Sequence, residues 1–258
     1  MESEQDQIIR ANAPVRRPTS LQRLSMRELP LVKPVMRQRW SDLLFLHWPV
    51  DPALLRAHLP SGLHADLFDG QAWLGIVPFA MERVHPVGLP PVPWISWFLE
   101  LNVRTYVHDD AGRPGVWFFS LDCNQPIAVE VARRFFHLPY HHARMSSEKR
   151  NGEIAYWCRR KGSNNASHFR YRSAVQGEPA GEQSLAWFLV ERYLLFATDR
   201  RGKIRSGRVH HKPYRIAPAH CTEWSSEPIH EDGLGRMGDP PASMLVAEPV
   251  DVSIYPLE

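Results

Sequence analysis

Proline is the feature that most limits how this chain can fold. The sequence holds 23 prolines among 258 residues, nearly twice the ~5% that is usual in globular proteins. A proline inside a helix removes a backbone hydrogen bond and clashes with the preceding turn, and within a sheet it is confined to edges and bulges. The prolines therefore predict many breaks in the chain and a loop-rich protein that favours β-structure.

The clearest strand in the sequence runs from Phe98 to His108. One set of alternating positions is apolar or β-branched: Leu99, Leu101, Val103, Thr105 and Val107. The other set is polar or aromatic: Glu100, Asn102, Arg104, Tyr106 and His108. This alternation predicts a β-strand whose apolar face packs and whose polar face meets either an internal cavity or solvent. Both placements remain open, and the cavity is the working hypothesis.

Short helices and further strands are predicted on both sides of this strand. Capping residues and apolar spacing indicate helices over residues 51–60, 125–137 and 184–193. The Asp69-Gly70 dipeptide indicates a tight hairpin turn. Strand patterns cover the following ranges: 63–68, 71–81, 116–123, 140–147, 153–160, 168–174, 194–198, 203–211 and 244–254. We expect one α+β domain over residues 35–258, mainly antiparallel, preceded by an extended or loosely helical arm over residues 1–34 that contributes little to the core.

Charge is distributed unevenly along the chain, although the net charge is only +3. Residues 133–172 hold ten Arg or Lys and two Glu, whereas residues 220–258 hold one Arg and eight acidic residues. Two solvated faces or a mutual electrostatic match explain this better than a nucleic-acid site, which is therefore not favoured.

Several functional classes lack support in the sequence. Three distant cysteines suggest neither a disulfide framework nor a zinc site, and the acidic N-terminus does not resemble a secretory signal, so we expect a soluble, cytoplasmic protein. No apolar run approaches the ~20 residues of a membrane span. The G-x-G-x-x-G match at residues 233–238 lacks the flanking strand and helix of a dinucleotide site and predicts only a loop. The His141-His142 and His210-His211 pairs cannot chelate together on a strand, so neither a metal nor a cofactor is predicted.

Several long segments together resemble the YqjF-like proteins of the DUF2071 family. These segments occur in order over about residues 35–258: His47–Val50, Trp73–Phe79, Glu100–Val107, Gly115–Asp122, Ala132-Arg133 and Leu138–Tyr140. The resemblance implies a fold similar to acetoacetate decarboxylase, with a β-barrel-like sheet and a few helices around a central cavity. It implies no particular reaction.

The resemblance also bears on imine chemistry. Decarboxylases of this fold carry their catalytic lysine in a Phe-Pro-Lys step after a mid-chain helix, and the step implied here is Leu138-Pro139-Tyr140. Tyrosine has no amine with which to form a Schiff base. The five lysines of the chain lie in turns, arms or charged stretches, where a depressed pKa is not expected: Lys33, Lys149, Lys161, Lys203 and Lys212. The sequence therefore predicts the cavity without the lysine chemistry.

Seven residues are candidates for binding a ligand: Glu100, Asn102, Arg104, Asp122, Arg133, Tyr140 and His211. Arg104 could hold a carboxylate or phosphate in a bidentate manner, with Glu100 as its partner or as a base. Each candidate also has a purely structural explanation, such as an exposed ion pair between strands, a helix cap, a Glu130–Arg133 contact or a core aromatic.

Three functions remain open at this point. The first is binding of a small, anionic organic molecule, such as a carboxylate. The second is a lyase or hydrolase that uses a carboxylate with a tyrosine or histidine as acid and base. The third is a nucleic-acid or protein interaction through the basic middle of the chain. The sequence determines neither the ligand nor the oligomeric state.

Overall fold

A computed structural model describes residues 15–173 and 175–258, so residues 1–14 of the predicted arm lie outside the described residues. The strands are β1 (Met36–Ser41), β2 (Leu43–Val50), β3 (Leu63–Ala65), β4 (Ala72–Pro86), β5 (Phe98–Asp109), β6 (Pro114–Cys123), β7 (Tyr140–Arg150), β8 (Glu153–Arg160), β9 (Ser167–Ser173), β10 (Glu178–Pro179), β11 (Leu194–Thr198), β12 (Ile204–His210), β13 (Arg215–Glu223), β14 (Ser243–Ala247) and β15 (Val250–Leu257). The helices are α1 (Ser20–Ser25), α2 (Pro52–Arg56), α3 (Pro126–Val131), α4 (Leu185–Val190) and α5 (Glu227–Glu231), and a π-helical turn, Ala132–Phe136, continues α3.

The hydrogen-bonded strands close two rings that share β4, β5 and β6. The first ring runs β1-β15-β12-β11-β6-β5-β4 and returns to β1, and the second runs β6-β7-β8-β9-β13-β14-β2-β4-β5 and returns to β6. The pairs β11–β6 and β6–β7 are parallel, whereas the other pairings of the two rings are antiparallel. The prediction of a mainly antiparallel, β-rich fold with a few short helices is confirmed.

β5 is a wall between the two rings, and for this reason both of its faces are buried. Leu101 and Val103 are fully buried in the core of the second ring. Tyr106, on the opposite face, belongs to the core of the first ring. The polar residues Glu100, Asn102 and Arg104 therefore face the interior of the first ring rather than solvent.

A β-bulge in β6 changes which side chains enter each ring. Val103 of β5 pairs with Ser120, but Arg104 pairs with Phe118, so Phe119 is an extra residue. Such an insertion reverses the facing of every later side chain in the strand. Phe118 faces the first ring before the bulge, and Leu121 faces it afterwards.

Two tight turns have glycine at their second position, and one of them is the turn predicted at Asp69-Gly70. Asp69 and Gly70 both have positive φ, at 49° and 79°, between the bridged residues Phe68 and Gln71. Asn151 and Gly152 adopt the same pair of angles, 51° and 79°, between β7 and β8. Both turns match the two-residue hairpin geometry that twisted antiparallel strands favour.

Other predicted elements differ from the structure at their ends. The helix predicted over 125–137 is α-helical only from Pro126 to Val131, and the Gln125 side chain caps its N-terminus. β2 separates the two cores and is buried on both faces. Its sequence therefore shows no alternation, and for this reason it is missing from the predicted strands. The structure also adds β1, β13 and α5.

Residues 233–238 form a loop without helix or strand, as expected for a chance G-x-G-x-x-G match. Within residues 15–173 and 175–258, no group of three or more His, Cys, Asp or Glu could hold a metal ion, and no helix there is long and apolar enough to cross a membrane.

Candidate functional site

The first ring encloses a cavity of about 340 Å³. Each of its seven strands contributes at least one lining residue, and most of these are apolar. Three lining residues are arginine or glutamate: Glu100, Arg104 and Arg192. An apolar cavity with a few convergent polar groups is the usual form of a small-molecule site.

Arg104 lies against the aromatic wall of the cavity. Its guanidinium carbon is 5.3 Å from the Phe45 ring centre and 5.5 Å from that of Tyr106. One terminal nitrogen, Nη2, donates to the Leu189 carbonyl at 3.0 Å and to the Tyr106 hydroxyl oxygen at 3.3 Å. Among the described residues no carboxylate pairs with Arg104, and its buried Nε has no hydrogen-bond partner. The positive charge is therefore buried without an anion.

Small and neutral neighbours make room for this arginine. Gly75 lies opposite Arg104 on β4, and a Cβ there would stand 3.0 Å from the His47 ring and 3.5 Å from Cγ of Arg104. Burial, reinforced by the charge of Arg104, lowers the pKa of His47 well below its usual value. His47 is thus neutral, and its Nε2 hydrogen-bonds the Tyr106 hydroxyl at 2.6 Å. His47 is not among the predicted candidates, since an isolated histidine in an apolar strand gives no signal in the sequence.

Glu100 and Tyr140 form a second polar group in the same cavity. The Tyr140 hydroxyl donates to the Glu100 carboxylate at 2.7 Å, and both residues are buried. Burial raises the pKa of Glu100 to about 7, and the Tyr140 hydrogen bond opposes this rise only partly. Glu100 can therefore exchange a proton near neutral pH, as an acid–base group requires.

Asn102 lies on β5 between Glu100 and Arg104, and also lines the cavity. Its side chain is 5% exposed, and its Oδ1 has no hydrogen-bond partner. A buried amide oxygen without a partner carries a desolvation penalty of ~1–3 kcal/mol. A ligand that donates to it would remove this penalty.

Arg192 is a cavity residue that sequence analysis did not include among the candidates. It follows α4 and binds Asp66 at 2.7 Å, and Asp66 also accepts two bonds from Arg23 at 2.6 Å. Unlike Arg104, it thus has a buried carboxylate partner. Its position at the end of a helix can be read from the sequence, but the contact with Asp66 joins residues 126 positions apart and has no local signal.

Asp122 lies outside this cavity. After the β6 bulge it faces away from the first ring and binds Arg160 at 2.7 Å, in a cluster completed by Ser120, Glu231 and Asp232. Burial raises the pKa of Asp122 to about 6, although Arg160 opposes the rise. Without the bulge, strict alternation from Phe118 would have placed Asp122 in the cavity.

Arg133 and His211 also stand apart from the cavity. Arg133 is exposed on the π-helical turn, donates to the Tyr140 carbonyl at 2.7 Å and lies 3.7 Å from Glu130. It positions the backbone of Tyr140. His211 is buried between the rings of Tyr193 and Tyr214, whose centres are 4.7 Å and 4.4 Å away. Burial lowers the pKa of His211 to about 4, so this histidine is neutral at physiological pH.

Comparison with known sequences identifies the family. A family model described as an uncharacterized conserved protein, DUF2071, matches residues 37–251. The protein YqjF of Bacillus subtilis (strain 168) is 44% identical over 186 residues, which are 72% of this chain and 76% of YqjF. The chain belongs to the DUF2071 family. This confirms the resemblance seen in the sequence.

The DUF2071 protein also resembles solved structures of the acetoacetate decarboxylase fold. Acetoacetate decarboxylase from Legionella pneumophila superposes with a TM-score of 0.62 at 12% identity, covering 88% of this chain and 87% of the other. The enduracididine biosynthesis enzyme MppR in complex with pyruvate gives 0.61 at 12% identity, covering 88% and 91%. Identities this low establish the fold alone.

The lysines of the DUF2071 protein lie away from the cavity. All five are exposed, and none lines it. Tyr140, which the resemblance aligns with the decarboxylase lysine, lines the cavity and contacts Glu100. The position is therefore part of the cavity wall but carries a phenol instead of an amine.

Proposed function

We propose that this protein binds a small organic anion, a carboxylate, in the cavity of the first ring, and that it does so without forming a lysine imine. The observation that carries the proposal is the unpaired guanidinium of Arg104 in an apolar cavity. A buried charge without a counterion is costly, and an arriving carboxylate compensates it with bidentate hydrogen bonds.

The other charges of the cavity favour a ligand with one negative charge. Arg192 already has Asp66 as its counterion, and Glu100 is neutral below pH 7 because of its raised pKa. One carboxylate is then sufficient to balance Arg104. The complex of MppR with pyruvate gives independent support, since a protein of the same fold is described with a bound carboxylate.

Isothermal titration with hexanoate and benzoate tests this proposal, with hexanol as the uncharged control ligand. We expect the wild-type protein to bind both acids and not the alcohol. Arg104→Met removes the charged hydrogen bonds and should weaken binding at least about thirtyfold. Arg172→Met, which removes an exposed arginine of β9, should bind as the wild type does. Equal binding by the Arg104→Met protein would overturn the proposal.

Enzymatic turnover is a second candidate function, favoured by the contact between Glu100 and Tyr140. A carboxylate with a pKa of about 7 in a cavity suits proton abstraction from carbon. The C–H bond next to a ligand carbonyl would break, its proton would pass to Glu100, and its electron pair would move onto the carbonyl oxygen. Return of a solvent deuteron would then label the ligand.

NMR in D₂O measures this exchange on a keto acid bound by the protein. We expect deuterium to enter the carbon next to the carbonyl, and Glu100→Gln to abolish the exchange while binding persists. If the protein binds the keto acid but deuterium enters no faster than it does without protein, the proposed turnover is wrong and only the binding function stands.

A further inference from the structure

We infer that the ligand is amphiphilic: a carboxylate with an apolar tail, whose head binds Arg104 and whose tail runs along β5 to the mouth of the cavity. This inference rests on the proposed function, because it takes Arg104 as the anion site. It adds the class of ligand and its direction in the cavity.

The cavity has one closed end, at Arg104. The residues around the guanidinium are buried, among them Phe45 at 1% and Val190 at 1% exposed, and both line the cavity. The opposite end is open, since Ile127 lines the cavity and is 44% exposed. The lining residue Pro86, at the end of β4, is exposed as well. A ligand therefore enters past α3 and reaches Arg104 last.

The path between these ends is long and mostly apolar. β5 extends from Phe98 near the mouth to Arg104, six residues that span about 20 Å. The adjacent lining residues of β4 are Val77, Phe79 and Met81, which pair with Asn102, Glu100 and Phe98. The cavity volume of about 340 Å³ lies within the range of ~300–1,000 Å³ that is usual for small-molecule sites. This volume fits a medium-chain carboxylate.

The loop before β5 and the helix α3 with its π-helical turn, which both contribute lining residues, carry exposed apolar side chains. We call these residues the apolar rim: Leu89, Val92, Trp94, Ile127 and Phe135, all 44–69% exposed. The Gln125 side chain binds the Trp94 carbonyl at 3.0 Å, which fastens the loop before β5 to the start of α3. Several large apolar residues around one opening mark a binding surface more than isolated ones do.

The loop that carries Trp94 is held in an uncommon conformation. Trp94 has φ +68°, and the Ile95 amide donates to the Pro93 carbonyl at 2.9 Å across it. A three-residue turn with positive φ is strained. It directs Ile95 to the cavity lining while Trp94 remains 69% exposed at the rim.

Titration calorimetry with straight-chain acids of two, six, eight and ten carbons tests the inference on the full-length protein. Each buried methylene adds about 0.8 kcal/mol, or about a fourfold gain in affinity, so affinity should rise steeply up to about ten carbons. Decyltrimethylammonium, with the same tail and the opposite charge, should not bind. Arg104→Met should weaken the binding of every acid in the series at least about thirtyfold.

Two variants locate the tail. Ala128→Phe places a ring in the half-buried lining of α3 and should reduce decanoate affinity at least tenfold while hexanoate affinity changes less than twofold. Trp94→Ser, at an exposed position, should weaken decanoate about threefold and leave hexanoate unchanged. A thermal melt confirms that each variant folds, and Ala132→Phe replaces Ala128→Phe if that protein does not fold.

The possible failures are distinguishable. Binding that depends on Arg104 but is independent of chain length would overturn the amphiphilic ligand and leave the proposed function intact. If neither variant changes the preference for decanoate, the tail does not follow this path. No binding of any acid would overturn the proposed function itself.

Discussion

At the scale of single residues, the cavity contains buried polar groups that lower the stability of the fold. Arg104 keeps its charge in contact with aromatic rings, and Asn102 leaves an amide oxygen without a partner. Glu100 is buried deeply enough to resist ionisation. The placement of Arg104 is expected where a bound anion stabilises the same group.

The stability of the ligand-free protein therefore distinguishes a binding role for Arg104 from a structural one. Arg104→Met replaces an uncompensated buried charge with an apolar side chain and should raise the free energy of unfolding by about 1–3 kcal/mol. Urea denaturation measures this change, with Arg172→Met as the surface control. A loss of stability would instead show that the bonds to Leu189 and Tyr106 hold the fold together.

Glu100 gives a prediction about pH. Its pKa is about 7 in the folded protein against an ordinary value of 4.5, so between these values the folded state holds a proton that the unfolded state has lost. Stability should therefore fall as pH rises from about 4.5 to 7, by on the order of 3 kcal/mol, and this contribution should then level off. Glu100→Gln, which cannot ionise, should lose it.

Urea titrations of the wild type and the Glu100→Gln variant between pH 4.5 and pH 8.5 check this prediction. The difference between the two proteins is the useful quantity, because Asp122 also titrates with a raised pKa of about 6. Parallel curves for the two proteins would contradict the raised pKa of Glu100.

At the scale of elements, one bulge decides the composition of the site. It lies in β6 next to Arg104, and it keeps Leu121 in the first ring while Asp122 joins Arg160 outside the cavity. Because of the bulge, Asp122 lies outside the cavity that Glu100 lines. β6 therefore adds no second carboxylate to the cavity. Bulges beside binding sites commonly redirect side chains in this way.

The segment before β1 contributes contacts that its sequence does not predict. α1 has no buried residue, in keeping with an arm that adds little to the core, yet its Arg23 makes two 2.6 Å bonds with buried Asp66, the counterion of Arg192. The boundary between an arm over residues 1–34 and a domain over 35–258 stays a prediction. Because of the Arg23 contact, we expect a truncation that removes Arg23 to lower the stability of the protein.

Truncation measures how much this arm contributes. Deleting residues 1–14 should leave the melting temperature nearly unchanged, because their sequence lacks the sustained apolar periodicity of a core element. Arg23→Ala should lower the free energy of unfolding by about 1–3 kcal/mol, since Asp66 loses one of its two charged partners. A melt of the Arg23→Ala protein that matches the wild type would show that Arg192 alone satisfies Asp66.

At the scale of the whole molecule, the basic and acidic parts of the chain meet each other. β9 pairs with β13, and Arg170 lies 3.8 Å from Glu223. Arg160 is bound at 2.7 Å by Asp232. These ion pairs join the basic segment to the acidic segment, as one interpretation of the charge distribution expected. They neutralise part of the basic surface that a nucleic-acid site would need.

The exposed position of every lysine leads to a prediction about chemistry. Incubation with acetoacetate or pyruvate and borohydride should leave the intact mass unchanged, because an imine requires a desolvated amine and no lysine lines the cavity. The Legionella acetoacetate decarboxylase is a suitable positive control. A stoichiometric mass increase on a single lysine would overturn both this prediction and the alignment of Tyr140 with the decarboxylase lysine.

The sequence by itself determined the features that depend on neighbouring residues. The alternation of β5, the Asp69-Gly70 turn, the short capped helices and the mainly antiparallel class all follow from local backbone preferences and periodicity. The family resemblance added the fold. Placing Glu100, Asn102, Arg104 and Tyr140 as candidates for one site used both kinds of information.

Only the tertiary structure decided which faces of the strands meet. Contacts between distant parts of the chain place β5 between the two rings. They leave Arg104 without a counterion and give Arg192 the carboxylate of Asp66. They also place Asp122 and His211 outside the cavity. A single bulge reverses the facing of a strand without any local signal in its sequence, since it is fixed by the pairing with β5. For this reason the shared face of Glu100, Asn102 and Arg104 was predictable, whereas the exclusion of Asp122 and His211 from the cavity was not.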